Sequence, residues 1–186
     1  MEIVTAAWDL AHEQGLSELS LRELGERVGM RAQSLYSYFP SKHAIYDAMF
    51  QEGNEQLLHR MQAVRDRDGS AEERFRSGAH EFVDFALDDA ERCQLLFLRT
   101  LPGFEPSATA YSIAVEVLEL ARDRLADLGI TQAELLDMWT AILSGVVQQQ
   151  LANDPGGDRW RKLLDDAIAM YLSFALDGRD DPRSDQ

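Results

Sequence analysis

The sequence is short of cysteine, proline and basic residues. Its 186 residues include one cysteine and five prolines, and 18 lysines and arginines stand against 33 acidic residues, which leaves a net charge of −15. A single cysteine, Cys93, excludes an internal disulfide and leaves no second thiol for a metal site. We expect Cys93 to behave as a small buried hydrophobe.

Long apolar runs and targeting signals are missing as well. Nowhere do 18 apolar residues follow one another, and the opening MEIVTAAWDLAHEQG lacks the basic start of a secretion signal. The sequence therefore predicts a soluble, cytoplasmic protein. With 45% hydrophobic residues, the chain has enough apolar material for a globular core.

The motifs of common enzyme classes are also absent. There is no glycine-rich phosphate loop, no paired-histidine zinc motif and no nucleophile elbow. The four histidines are scattered, and no two are four residues apart. Acidic pairs such as Asp88 and Asp89 fit solvated helix faces. We expect no enzymatic activity, no cofactor and no metal.

Apolar residues recur at intervals of three and four along almost the whole chain, which predicts an all-α protein. Gly15 is expected to end the first helix, Phe39-Pro40 the third, and Ser41 to cap the fourth. The last helix is predicted from about Arg159 to Leu176. Three capping boxes, each a serine or threonine followed three residues later by glutamate, are predicted at Ser20, Ser70 and Thr131.

Residues 20–45, SLRELGERVGMRAQSLYSYFPSKHAI, predict two short helices joined at Gly29. This is the helix-turn-helix arrangement, whose second helix fits the major groove of DNA while the first lies across it. The segment holds four basic and two acidic side chains, so its local charge opposes that of the whole chain. A generic corner in a helical bundle shows the same spacing, and from periodicity and charge alone the two interpretations are equally open.

The polar side chains of this segment suit the two kinds of DNA contact. Ala32, Gln33 and Ser37 lie at the start and outer face of the third helix, where base edges are within reach. Donors suited to phosphate oxygens are Ser20, Arg22, Tyr36, Tyr38 and Lys42.

The stretch LSLRELGERVGMRAQSLYSYFPSKHAIYDAMF resembles the DNA-binding domain of the TetR family of bacterial transcriptional regulators. Its most specific part is LYSYFPSK, residues 35–42. The resemblance implies that Tyr36 and Lys42 contact phosphates. Arg31 replaces the serine or threonine that usually caps the recognition helix, although it is able to reach a phosphate. Tyr38 replaces a commoner histidine, and the basic N-terminal arm of many relatives is not expected.

The resemblance also implies an organisation for the chain. It predicts about nine helices, with a three-helix helix-turn-helix domain at residues 1–46 and a helical ligand-binding and dimerisation domain at 47–178. Residues 179–186 are predicted to form a flexible tail. RTLPGFEPS and QQLANDPGGDRW resemble the C-terminal regulatory domain of one subgroup, of the WHG type.

Family members act as homodimers joined by their last two helices, and two features agree with this. The eighth helix carries small residues, Ala141, Ser144 and Gly145, that permit close helix approach. The ninth carries a wide apolar stripe, and the alternative is that this stripe packs inside the monomer. Its members are Trp160, Leu163, Leu164, Ala167, Met170, Tyr171 and Phe174.

An apolar cavity for a small-molecule effector is one interpretation of the remaining large apolar residues, and an ordinary packed core is the alternative for each of them. The candidates are Phe82, Phe85, Phe97, Phe104, Tyr111, Met138, Trp139 and Leu143. The resemblance thus implies a homodimeric regulator that binds a palindromic operator in double-stranded DNA and acts as a ligand-relieved repressor. The alternative is a ligand-binding or interaction module whose helix-turn-helix has lost DNA affinity.

Overall fold

The structure, a computed structural model, describes residues 2–66 and 68–177, apart from the side chain of Ala32. These residues form nine α-helices, two short 3-10 helices and no strand, which confirms the predicted all-α fold. The α-helices are α1 Glu2–Gln14, α2 Leu21–Arg27, α3 Ala32–Tyr38, α4 Lys42–Arg65, α5 Ala71–Leu87, α6 Ala90–Phe97, α7 Ala108–Asp127, α8 Ala133–Asn153 and α9 Leu164–Asp177. The 3-10 helices are Leu16–Glu18 and Arg161–Leu163. The predicted tail at 179–186 lies outside the described residues.

Internal contacts divide the described chain into two units. The first unit comprises residues 2–58 and 89–116, and the second comprises 59–88 and 117–177. Two long helices, α4 and α7, each contribute residues to both units. The boundary expected after residue 46 stays a prediction.

The first unit is built around the apolar faces of α1 to α4. The buried face of α1, which includes Ala7 and Leu10, has the predicted helical spacing. Leu24, Leu35 and Ile45 meet it from α2, α3 and α4 and are fully buried. The Tyr46 hydroxyl donates to the Leu16 carbonyl, 2.5 Å away. This core places α2 and α3 on one small scaffold.

Cys93 belongs to the first unit and is 2% exposed, so the prediction of a buried thiol is confirmed. Burial raises the pKa of the Cys93 thiol to about 11. At neutral pH the group is therefore a protonated, unreactive thiol.

The second unit packs aromatic rings from three helices against one another. Trp139 lies 4.7 Å from Phe75 and 4.9 Å from Tyr171 between ring centroids. The Tyr171 hydroxyl donates to the Leu135 carbonyl at 2.9 Å, and burial raises the pKa of Tyr171 to about 12. These contacts tie α5, α8 and α9 together.

A buried arginine is the other notable feature of the second unit. Arg124 is 6% exposed, and one of its terminal nitrogens donates to the Met61 carbonyl at 2.5 Å. Burial lowers the pKa of Arg124. A methyl group on Gly78 would clash with the guanidinium, so a larger residue there would displace the Arg124 side chain.

Most predicted helix ends are confirmed, and three need correction. Gly15 follows α1 with φ +88°, and the complete capping box at Ser70 starts α5. The box predicted at Thr131 is wrong, because Gln132 precedes α8 and makes no side-chain cap. The box predicted at Ser20 is only half formed: its hydroxyl accepts from the Glu23 amide at 3.3 Å, but the Glu23 carboxylate accepts from that hydroxyl instead of from the Ser20 amide.

The third correction concerns the last helix. It begins at Leu164 rather than near Arg159, because residues 161–163 form a 3-10 turn first. Among the described residues, no helix combines the length and apolar character needed to span a membrane.

Candidate nucleic-acid interface

The turn between α2 and α3 has the hydrogen bonds of a Schellman motif. The Met30 amide donates to the Gly25 carbonyl at 2.8 Å, and the Gly29 amide donates to the Glu26 carbonyl at 3.3 Å. Gly29 has φ +68°, a conformation that costs glycine little and other residues more. The turn therefore ends α2 abruptly and lets α3 begin at Ala32, as a helix-turn-helix requires.

α3 exposes almost its entire surface. Among its described side chains only Leu35 is buried, and Gln33, Ser34 and Ser37 are exposed. Tyr36 and Tyr38 are 52% and 67% exposed. Large aromatic side chains so exposed on a short helix indicate a binding surface, and their hydroxyl groups suit a polar partner.

The predicted base-reading positions fall on this surface with one exception. Gln33 and Ser37 are exposed on α3, and the Ser37 hydroxyl donates to the Ser34 carbonyl at 2.6 Å. Its oxygen lone pairs remain able to accept a hydrogen bond from a base. The side chain of Ala32 lies outside the described part of the structure.

Lys42, the first residue of α4, is oriented by two contacts. Its ammonium donates to the Ser17 carbonyl at 2.5 Å and lies 5.5 Å from the centre of the Tyr46 ring. An ammonium has three donors, so two stay available for a phosphate. The Ser41 hydroxyl accepts from the Ala44 amide at 3.2 Å, which confirms the predicted cap of α4.

The arginines of this region differ in the ion pairs that they form. Arg27 forms a close ion pair with Glu13 on α1, at 2.9 and 2.5 Å, and this bond lowers the pKa of Glu13. Arg22 is strongly exposed and lies 3.9 Å from Glu26. Arg31 precedes α3 without a side-chain cap, as predicted. Arg27 thus holds α2 to α1, and phosphate contact by Arg22 and Arg31 stays a prediction.

The residues predicted to line an effector cavity are divided between the two units. Phe97, Phe104 and Tyr111 belong to the first unit, where Phe104 packs edge-on against Tyr46 and Tyr111 is exposed. Phe82, Phe85, Met138, Trp139 and Leu143 belong to the second.

Within the second unit the predicted effector residues differ in exposure. Phe85, Trp139 and Leu143 are buried, Phe82 is half-buried and Met138 is exposed. The Arg60 guanidinium lies 5.2 Å from the centre of the Phe85 ring. Their role in effector binding stays a prediction.

The sequence did not predict the contact between His12 and Asp89. Asp89, expected on a solvated helix face, instead caps α6, with its carboxylate accepting from the Arg92 amide at 2.8 Å. Its other oxygen lies 3.0 Å from Nε2 of His12 on α1. The two residues are 77 positions apart, so no local pattern connects them.

This fold and surface define a helix-turn-helix protein, and comparison with known proteins shows which proteins its helices resemble. Residues 3–49 match the family model for bacterial regulatory proteins, tetR family. YobS of Bacillus subtilis, an uncharacterized HTH-type transcriptional regulator, is 32% identical over 88 residues, or 47% of this chain and 45% of YobS. The match confirms the predicted resemblance of the N-terminal helices to the TetR family. The subgroup assignment stays a prediction.

Solved structures share the fold over most of the chain. The regulator FadR from Bacillus subtilis, in complex with stearoyl-CoA, has a TM-score of 0.74 at 18% identity and covers 93% of this chain and 97% of its own. A single-residue variant of TetR from Acinetobacter baumannii, in complex with minocycline, has a TM-score of 0.67 at 19% identity, covering 96% and 97%. At such identities the likeness shows the fold alone. The chain spans about half the length of the curated relatives it matches.

Proposed function

We propose that this protein is a DNA-binding transcriptional regulator. The observation that carries the proposal is the exposed face of α3, where two tyrosines and Gln33 surround a single buried anchor, Leu35. Gln33 and Ser37 read base edges in the major groove, while Tyr36, Tyr38 and Lys42 hold phosphates. Ser20 and Arg22 at the start of α2, and Arg31 before α3, add contacts to the DNA phosphate backbone.

The regulator acts as a homodimer joined through α8 and α9. On α9, Met170 and Phe174 are 65% and 59% exposed and lie one turn apart. On α8, Met138, Ala141 and Gly145 are exposed at helical spacing. Exposed apolar residues on both helices favour an interface in which the same surface of each protomer meets that of its partner.

Dimerisation explains how a chain of net charge −15 recognises DNA. Two recognition helices set about 34–36 Å apart read two half-sites of a palindrome. The acidic remainder repels phosphates, so contact is confined to the helix-turn-helix surface.

We further propose repression that is relieved by a mostly apolar small molecule held by the second unit, near Phe82, Phe85, Met138, Trp139 and Leu143. FadR bound to stearoyl-CoA supports only the principle that this fold accepts such ligands. The effector relieves repression because it binds the conformation with low DNA affinity more tightly than the other. Phe97, Phe104 and Tyr111 belong to the first unit, and their role in effector binding stays a prediction outside this proposal.

The DNA-binding role is tested by fluorescence anisotropy on the DNA upstream of the protein's own reading frame, over a range of salt. The chain contains two lysines, so Lys162→Ala is a matched control for Lys42→Ala. We expect Lys42→Ala to weaken binding about tenfold on every sequence and to lower the salt slope by about 1. Lys162→Ala should leave both unchanged.

Tyr36→Phe removes only a hydroxyl and has its own control in Tyr111→Phe, since Tyr111 is 54% exposed on α7. We expect weaker DNA binding for Tyr36→Phe alone. If wild-type protein binds neither the upstream DNA nor any member of a random DNA library, the alternative of an interaction module with a degenerate helix-turn-helix replaces this proposal.

A further inference from the structure

Three metal-ligating side chains from distant parts of the sequence meet in the first unit. His12 on α1 and Asp89 and Glu91 at the start of α6 bring one imidazole nitrogen and two carboxylate oxygens within 4.8 Å of one another. The Asp89 side chain is 15% exposed and Glu91 is half-buried, so neither carboxylate is fully hydrated.

One pair of these atoms has the spacing found in a coordination shell. Nitrogen and oxygen ligands lie roughly 2.0–2.2 Å from a transition metal, so neighbouring ligand atoms in a tetrahedral or octahedral shell are about 3–3.6 Å apart. Nε2 of His12 lies 3.0 Å from Oδ2 of Asp89, at the short end of that range. The Glu91 carboxylate lies within 4.8 Å of both atoms and would move closer to them in a three-ligand site.

One of the three ligands, Asp89, is already held in place, and His12 is exposed beside Trp8. Asp89 is fixed because its Oδ1 accepts the Arg92 amide, which leaves Oδ2 for the metal. The His12 ring lies nearly parallel to the ring of Trp8, with centroids 6.3 Å apart, and Trp8 Nε1 donates to Glu52 at 2.7 Å. Such supporting contacts orient ligands before a metal binds.

An adjoining cleft supplies space and charge for the remaining coordination positions. It has a volume of about 350 Å³ and is lined by His12 and Asp89 together with Asp9 and Glu52. The Arg92 guanidinium, 3.9 Å from Asp89, is a positive charge at this cleft. The surrounding carboxylates outnumber it, so the local potential favours a divalent cation.

The geometry points to a divalent transition-metal site formed by His12, Asp89 and Glu91. One imidazole with two carboxylates suits Zn²⁺, Co²⁺ or Mn²⁺. Because His12 belongs to the helix-turn-helix part and the carboxylates to the first turn of α6, a bound ion ties these two elements of the first unit together. Metal binding then stabilises the folded chain by mass action.

The site is tested by titrating metal-free protein with Co²⁺ and following the visible absorption of the bound ion. We expect saturable binding of one ion per chain. Glu91→Gln keeps the side-chain size but removes a charged ligand, and His12→Ala removes the nitrogen ligand. Each should weaken Co²⁺ binding at least about tenfold.

His59→Ala is the control, because His59 is an exposed histidine on α4 that is absent from the cluster. Helical content and melting temperature without metal establish that each variant folds. Co²⁺ should then raise the melting temperature of wild type and His59→Ala but not of Glu91→Gln.

The proposal is overturned by the absence of saturable Co²⁺ absorption in the wild type. Equal losses in Glu91→Gln and His59→Ala overturn it too, since they indicate general attraction of cations to an acidic protein. The three residues would then serve only as a helix cap and an ion pair. These readouts do not involve DNA, so they are independent of the proposed regulatory function.

Discussion

α3 and α9 both expose large side chains, but the chemistry of the exposed groups differs. α3 presents tyrosine hydroxyls and the amide of Gln33, beside the ammonium of Lys42. α9 presents Met170 and Phe174, which have no hydrogen-bonding group able to satisfy a charged partner. A hydrated, anionic partner suits the first surface and an apolar one the second.

The two helices also differ in how firmly they are anchored. α3 has one buried side chain among those described, Leu35. α9 buries five apolar side chains, at positions that follow the helical repeat. They are Leu164, Ile168, Tyr171, Leu172 and Ala175. α3 therefore depends on its turn and its single anchor, and most of its surface is left for a ligand.

Removing the anchor of α3 should have the largest effect. Leu35→Ala leaves a cavity in the first unit and is expected to lower the free energy of unfolding by about 2–5 kcal/mol. Hydrogen exchange should show loss of protection in α3 first, because no second buried residue among those described on that helix compensates. Ile168→Ala in α9 should lower the free energy of unfolding by a similar amount, but the amides of α9 should stay protected. If α9 in that variant loses as much protection as α3 does in Leu35→Ala, the two helices do not differ in how firmly they are anchored.

Breaking the apolar face of α9 should have the next largest effect. Phe174→Glu places a charge on the proposed self-interface, so we expect monomers by analytical ultracentrifugation. Loss of bivalent contact should weaken operator binding by about 100-fold or more. Leu118→Glu, at an exposed position on α7, serves as the comparison. A dimer that survives Phe174→Glu would exclude this face as the interface.

The polar face of α3 is tested by a change that spares the dimer. Gln33→Ala should cost about 1–3 kcal/mol at one base pair of the operator and relax the preference there. On an operator in which that base pair is replaced, wild type and Gln33→Ala should then bind with similar affinity. Uniform weakening on all sequences would instead assign Gln33 to the phosphate backbone.

The smallest effect is expected at the start of α3. Arg31 precedes the helix with no side-chain cap, so Arg31→Ser should raise the free energy of unfolding by about 0.5–1 kcal/mol. The same variant loses one positive charge, and its DNA binding should become less salt-dependent. A fall in the melting temperature would show that Arg31 makes a stabilising contact of another kind.

Local sequence was a good guide wherever a helix end depends on adjacent residues. Gly15, Ser41 and Ser70 act as predicted, because a cap needs only the backbone of the next turn. The capping box predicted at Thr131 is wrong because the polar residue beside it, Gln132, takes the position before α8. The 3-10 turn at residues 161–163 has no distinct sequence signal either.

The helical period and the spacing of polar groups around Gly29 were enough to specify an all-α fold with an exposed recognition helix, because both are properties of neighbouring residues. Three features depended on tertiary structure: the pairing of His12 with Asp89, the burial of Arg124 against Gly78, and the division of the candidate effector residues between two units. Each joins residues far apart in sequence. Their proximity follows from how the helices pack, which no short window of sequence contains.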